Sequence, residues 1–104
     1  PALLPSFPGH NGAQDALDGG VKISGCTVNV VDSGVDTGPI IAQAADPVLA
    51  NDDAESLHAR IQVQEHRLLP SVIHKIATGA ITLDPLRVST QGTDAEQALT
   101  VPRP

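Results

Sequence analysis

GVKISGCTVNVVDSGVDTGPIIAQAADPV, residues 20–48, holds two runs of small and β-branched residues on either side of a loop dense in Asp, Gly and Pro. In the first run Cys26, Val28 and Val30 fall on one face and Thr27, Asn29 and Val31 on the other, as a half-buried strand requires. The second, PIIAQAADPVL, is a further extended element in which Pro47, lacking an amide donor, favours an edge or a bulge. Two strands thus carry SGVDTGPI, 33–40, to one end of a sheet. Asp, Gly and Pro each form turns for their own steric or hydrogen-bonding reason, so an ordinary surface turn is one reading. The other is chemical: a carboxylate held at a strand end by a restrained loop orients a neighbouring imidazole, or relays a proton, without moving itself. Asp36 is that carboxylate.

Downstream, Asp52 and Glu55 have the spacing of an N-cap and its reciprocal partner at the mouth of a helix. Leu57, Ile61, Leu68, Val72 and Ile76 then recur at roughly helical spacing, which predicts an amphipathic helix of about 25 residues to about Thr78, ended by Gly79. Pro70 removes one intrahelical bond and is expected to kink it. Gln62 and Glu65, three apart, can face a common partner. A last strand is expected over 81–88. Residues 89–104 lack the apolar periodicity to bind them to a core and are expected to form a flexible tail, leaving 1–88 as the folded part.

Upstream, Pro1, Pro5 and Pro8 exclude a regular helix and predict a stiff extended loop. HNGAQDALDGG, 10–20, reads as a short helix capped by Asn11 and ended at Gly19 or Gly20.

With 104 residues the chain can build one modest core. Its 40% hydrophobic content comes almost wholly from Ala, Val, Ile and Leu, with Phe7 the sole aromatic residue. A domain of this size ordinarily buries larger rings, so the core is expected to be completed by chain or partner beyond this sequence. PALLPSFPG has the character of sequence from inside a chain, and a longer parent is expected. Six basic residues against twelve acidic give a net charge of −6, which repels polyanions; nucleic acid is not an expected partner, although a small phosphate ester can still bind locally. Cys26 is alone and is expected to be a buried, silent thiol. His10, His58, His66 and His74 are scattered, and neither a metal-ligand cluster nor a glycine-rich phosphate loop occurs, so no metal is expected. No apolar run approaches the ~18 residues of a membrane span, and the cytoplasm is the expected compartment.

PALLPSFPG, the 20–48 stretch and LHARIQVQEHRLLP, 57–70, occur together in the order and spacing of the carboxyl-terminal half of phosphoribosylglycinamide formyltransferases, and roughly residues 1–80 resemble that folate-dependent family of purine synthesis. The resemblance implies an α/β fold, a mostly parallel sheet flanked by helices, with a long kinked helix. It implies transfer of the formyl group of 10-formyltetrahydrofolate to the primary amine of glycinamide ribonucleotide without a metal. Catalysis in the family is attributed to an Asn, a His and an Asp. By position Asp36 matches the Asp, while the Asn and His would lie in an Asn-x-His stretch immediately before Pro1. Backbone groups around Val31, Asp32, Gly34 and Val35 would bind the pterin as Asp36 orients the His, and Gln62 and Glu65 would face the phosphate and ribose of the nucleotide. The missing upstream half of the domain is thus an implied partner, and a homodimer is left open.

Asn29 stands where the family usually has a His, and His10 and Asn11 replace a more usual Leu and His. An amide hydrogen-bonds but does not titrate near neutrality, so these departures bear on rate and pH dependence more than on fold. Hydrolysis of formyltetrahydrofolate, which uses a similar Asn, His and Asp, is the nearest alternative. Transfer to methionyl-tRNA suits the acid excess poorly, and a non-catalytic substrate-binding or assembly fragment is a reading of a different class. VQEHRLLP favours the glycinamide ribonucleotide enzyme, because Gln62 and Glu65 match its substrate-facing positions.

Overall fold

The structure, a computed structural model, describes residues 1–30, 38–84, 87–90 and 100–102. The two runs flanking the loop form β1 (Ile23–Asn29) and β2 (Ile40–Pro47), paired antiparallel from Ile23 opposite Pro47 to Asn29 opposite Ile40, with a register shift between Val28 and Asn29. The Val30 amide donates to the Pro39 carbonyl at 2.8 Å and continues the pairing beyond the strands. Gly38 is buried there, where any Cβ would collide with the Val30 carbonyl, so a side chain would force the two backbones apart. The loop residues Val31, Asp32, Gly34, Val35 and Asp36, expected at the folate and the imidazole, lie outside the described residues.

α1 (Gly12–Gly19) precedes β1, and α2 (Ala54–Thr78) follows β2. Asn11 occupies the N-cap position of α1, but its side chain makes no capping bond, contrary to expectation. The long helix runs over the predicted span and stops at Gly79, whose φ of 83° is the left-handed conformation that glycine adopts without a Cβ clash. Its start corrects the sequence reading by one residue. Asp53, not Asp52, is the N-cap, accepting from the Ser56 amide at 2.8 Å while Ser56 Oγ accepts from the Asp53 amide at 3.0 Å. Pro70 lies inside the helix and leaves the His66 carbonyl without the amide it would accept from there.

Leu57, Ile61, Leu68 and Val72 of α2 are buried with Cys26, Ile41, Ala42 and Ala44 of the sheet and Ala13 and Ala16 of α1. Small sheet residues let the helix lie close, and each large aliphatic side chain so buried contributes about 1.5–3 kcal/mol. Ile76, expected on this face, is 36% exposed.

The single strand expected over 81–88 is instead an antiparallel pair, β3 (Ile81–Asp84) and β4 (Arg87–Thr90). Within the segment read as a tail, β5 (Thr100–Val101) pairs antiparallel with β2 at Gln43 and Ala44, and Pro102 is fully buried. The sheet order is β1-β2-β5. The chain is therefore α/β with one long helix on a small sheet. Among the described residues every ladder is antiparallel, so the parallel arrangement implied by the resemblance is not seen in them. No helix among them is long and apolar enough to cross a membrane.

Candidate functional site

The proline-rich start carries no helix or strand, as its sequence requires, yet it is fastened to the sheet. Thr27 and Gln43 are cross-strand partners, and both reach the segment. Thr27 Oγ1 donates to the Ala2 carbonyl at 2.8 Å and accepts from the Leu4 amide at 3.1 Å. Gln43 Nε2 donates to the Leu4 carbonyl at 2.8 Å and to Thr27 Oγ1 at 3.1 Å. Ala2 and Leu4 are buried as a result. This anchoring sets the Pro1 nitrogen 3.6 Å from Glu65 Oε1 on α2.

Beside that contact a cleft of about 360 Å³ opens between β1 and α2. The strand supplies Cys26, Thr27, Val28 and Asn29, and the helix supplies Glu65, His66 and Leu69. Its volume is within the range of small-molecule sites, and its walls mix apolar surface with a few polar groups, as such sites do. Glu65 can accept from hydroxyls, and Asn29 and His66 can each donate and accept. Burial, followed by the negative charge of Glu65, pushes the Cys26 thiol up to about 11, so at neutral pH it stays protonated and is a poor nucleophile.

Of the residues singled out in the sequence, Glu65 and Asn29 come together in the cleft. Gln62 is exposed one turn before His66 and is not part of the cleft wall. His66 and Leu69 belong to the cleft although sequence reading had not selected them. The signal was present: His66 is four residues from Gln62 and Leu69 four from Glu65, which puts all of them along one helical face. His10 and His58 line a smaller cleft of about 110 Å³ near the starts of α1 and α2, with Asn11. Among the described residues no three His, Cys, Asp or Glu side chains are grouped to hold a metal ion.

A second polar cluster lies toward the other end of the β1–β2 ladder. Asp46 sits opposite Ser24, both buried, and Asp46 Oδ2 has no hydrogen-bond partner. Burial raises the Asp46 pKa, against the hydrogen bond from Gln64 and the charge of Arg60. Arg60 binds Asp52 in a two-pronged pair, Nη1 to Oδ2 at 2.7 Å and Nη2 to Oδ1 at 2.8 Å, and also donates to the Pro47 carbonyl at 3.0 Å. The Arg60 hydrogen bonds, reinforced by the Leu49 amide at 2.7 Å, hold the Asp52 carboxyl well below the usual carboxylate range. These contacts tie the β2–α2 connection to the helix and are structural.

The formyl transferase family matches residues 1–73. The chain is 55% identical over 83 residues to the phosphoribosylglycinamide formyltransferase of Mycobacterium tuberculosis (strain CDC 1551 / Oshkosh), an alignment that covers 80% of this chain and 39% of that protein. It is 46% identical over 83 residues to the trifunctional purine biosynthetic protein adenosine-3 of Bos taurus, covering 80% of this chain and 8% of that one. The crystal structure of glycinamide ribonucleotide transformylase 1 from Symbiobacterium toebii is similar with a TM-score of 0.82 and 49% identity, over 86% of this chain and 42% of that chain. The chain thus spans about two fifths of the length of the Mycobacterium tuberculosis and Symbiobacterium toebii proteins.

Proposed function

The chain belongs to the formyl transferase family, and on that basis we propose that it is the carboxyl-terminal part of a phosphoribosylglycinamide formyltransferase, working within a longer polypeptide. The reaction is transfer of the formyl group of 10-formyltetrahydrofolate to the amine of glycinamide ribonucleotide, in the cytoplasm. The observation that carries this reading is the β1–α2 cleft, where Glu65 and Asn29 face the same space beside the anchored Pro1.

The neutral amine attacks the formyl carbon, and the carbonyl oxygen becomes an oxyanion that needs a positioned donor. Nitrogen then loses a proton as the C–N bond to the folate breaks and the folate nitrogen gains one. In this reading the oxyanion donor and the proton-transfer imidazole come from an Asn-x-His stretch directly upstream of Pro1. The fastening of residues 1–4 by Thr27 and Gln43 supports it, because chain leading into Pro1 starts close to Glu65. Asp36 orients that imidazole, and the backbone around Val31, Asp32, Gly34 and Val35 holds the folate. Glu65 accepts from the ribose hydroxyls and Gln62 reaches the phosphate. The described ladders then form an antiparallel margin to the family's parallel sheet.

The test is formyl transfer to glycinamide ribonucleotide by the full-length polypeptide, with Asp36→Asn and Glu65→Ala compared side by side. Asp36→Asn should lower kcat by roughly 10²–10⁴-fold with smaller changes in ligand affinity. Glu65→Ala should chiefly weaken nucleotide binding and leave folate affinity within about threefold. Transfer to water alone, or equal loss of both ligands in Glu65→Ala, would overturn the assignment.

A further inference from the structure

On the reading that the catalytic Asn and His directly precede Pro1, we infer that Gln43 is a positioning residue for formyl transfer, its side-chain amide fixing the segment through which that stretch enters the cleft. Gln43 is half-buried and is not part of the cleft wall, so it acts through residues 1–4 and not on a ligand. It sits on β2, the middle strand of the order β1-β2-β5, opposite Thr27 on one side and Val101 on the other. Ladders on both sides fix its backbone, which makes the amide a firm anchor.

Gln43 Nε2 uses both of its hydrogens, one on the Leu4 carbonyl at 2.8 Å and one on Thr27 Oγ1 at 3.1 Å. That hydroxyl is saturated in turn, accepting from Gln43 and from the Leu4 amide while donating to the Ala2 carbonyl. The Ser6 amide donates to the Leu3 carbonyl, a bond internal to the segment. Burial of Ala2 and Leu4 adds attraction without direction, so register along the sheet is set by the hydrogen bonds. The approach of the Pro1 nitrogen to Glu65 does not hold the segment in a longer polypeptide, because there it is a peptide nitrogen with neither charge nor hydrogen. The hold therefore falls to Gln43 and Thr27, with Gln43 donating two of the four bonds. Pro1 is close to Leu4 along the chain, and a shift at Leu4 carries to whatever precedes Pro1. A displacement of about 1 Å at a reacting group costs up to about 10²-fold in rate, even when the residue responsible touches no substrate.

Single-turnover transfer from 10-formyltetrahydrofolate to glycinamide ribonucleotide is followed in the full-length polypeptide, with the dissociation constants of both ligands measured separately. Gln43→Leu removes both donors, and Gln43→Glu keeps the shape but turns an acceptor toward the Leu4 carbonyl at neutral pH. Each should slow the chemical step by roughly 10- to 100-fold and leave both dissociation constants within about threefold. Thr27→Val should behave alike, whereas Thr27→Ser, which keeps the hydroxyl, should stay near the wild-type rate. Gln43→Leu and Thr27→Val combined should be about as slow as the slower of the two alone, because both break one tether. If Gln43→Leu does not fold, Gln43→Glu and Thr27→Val decide. Wild-type single-turnover rates in the Gln43 variants, or a loss confined to ligand affinity, would overturn the inference while sparing the formyltransferase reading. A wild type that transfers no formyl group to glycinamide ribonucleotide removes both.

Discussion

Asp46 shows how a single side chain can work against its own fold. Its carboxylate is 5% exposed with one oxygen unpartnered, and burial raises its pKa in the folded chain. A carboxyl whose folded pKa exceeds its unfolded value binds protons more tightly when folded, so it costs stability above the folded pKa. That cost is relieved as pH falls through the folded value toward the ordinary carboxylate range. Asp46→Asn should therefore stabilise the chain at pH 7 by roughly 1 kcal/mol, the scale of an imperfectly compensated buried polar group. In urea titrations the advantage over wild type should shrink as pH is lowered to about 4. Asp52 has the opposite sign, since Arg60 depresses its pKa and its contribution is lost as pH falls below the ordinary carboxylate range. Both chains keep Asp52, so the difference between them isolates Asp46. An Asn variant less stable than wild type at pH 7 would mean that the Gln64 hydrogen bond and the Arg60 charge outweigh the burial.

The long helix was readable from its spacing because Leu57, Ile61, Leu68 and Val72 meet the sheet and a glycine ends it. Its first turn was misread for a physical reason. Asp52 and Asp53 both precede a suitable partner by three residues, Glu55 and Ser56, and local sequence does not choose between them. The choice is tertiary: Arg60, two turns along, takes Asp52 and leaves Asp53 to cap. Asp53→Ala should thus lower stability by about 1 kcal/mol, and Glu55→Ala should stay within about 0.5 kcal/mol of wild type. Equal losses in chemical denaturation would restore Glu55 to the capping box. The antiparallel pairing of Ile81–Asp84 with Arg87–Thr90 was hidden for a related reason, since 81–88 reads locally as one extended run and its pairing is decided by the partner strand. The candidate site divides in the same way. Glu65 could be picked by its helical face, whereas the company of His66 and Asn29 depends on how α2 lies across β1.

Across the whole chain, the shortage of large rings finds its counterpart in a core of alanines and aliphatic side chains and in large apolar residues left outside. Ile23 is 56% exposed, Val63 62% and Ile73 60%. With the order β1-β2-β5, no described strand pairs with the outer edge of β1, the strand that lines the cleft. A sheet edge and apolar surface of this kind are covered by further structure in stable domains. The proposed chemistry has the same dependence, because a positioned oxyanion donor and a proton-transfer imidazole together supply several kcal/mol of transition-state stabilisation. In that proposal Asp36 orients an imidazole and does not replace one. Residues 1–104 by themselves should therefore show less than about 1% of the formyl-transfer rate of the full-length polypeptide at saturating glycinamide ribonucleotide and 10-formyltetrahydrofolate. Amide exchange on the same sample separates the two causes: protected α2 amides with no turnover locate the deficit in missing catalytic groups, and unprotected ones locate it in folding. Turnover near that of the full-length protein would mean that the proton transfer and oxyanion support are contained within this chain, and the upstream assignment of the Asn and His would have to be abandoned.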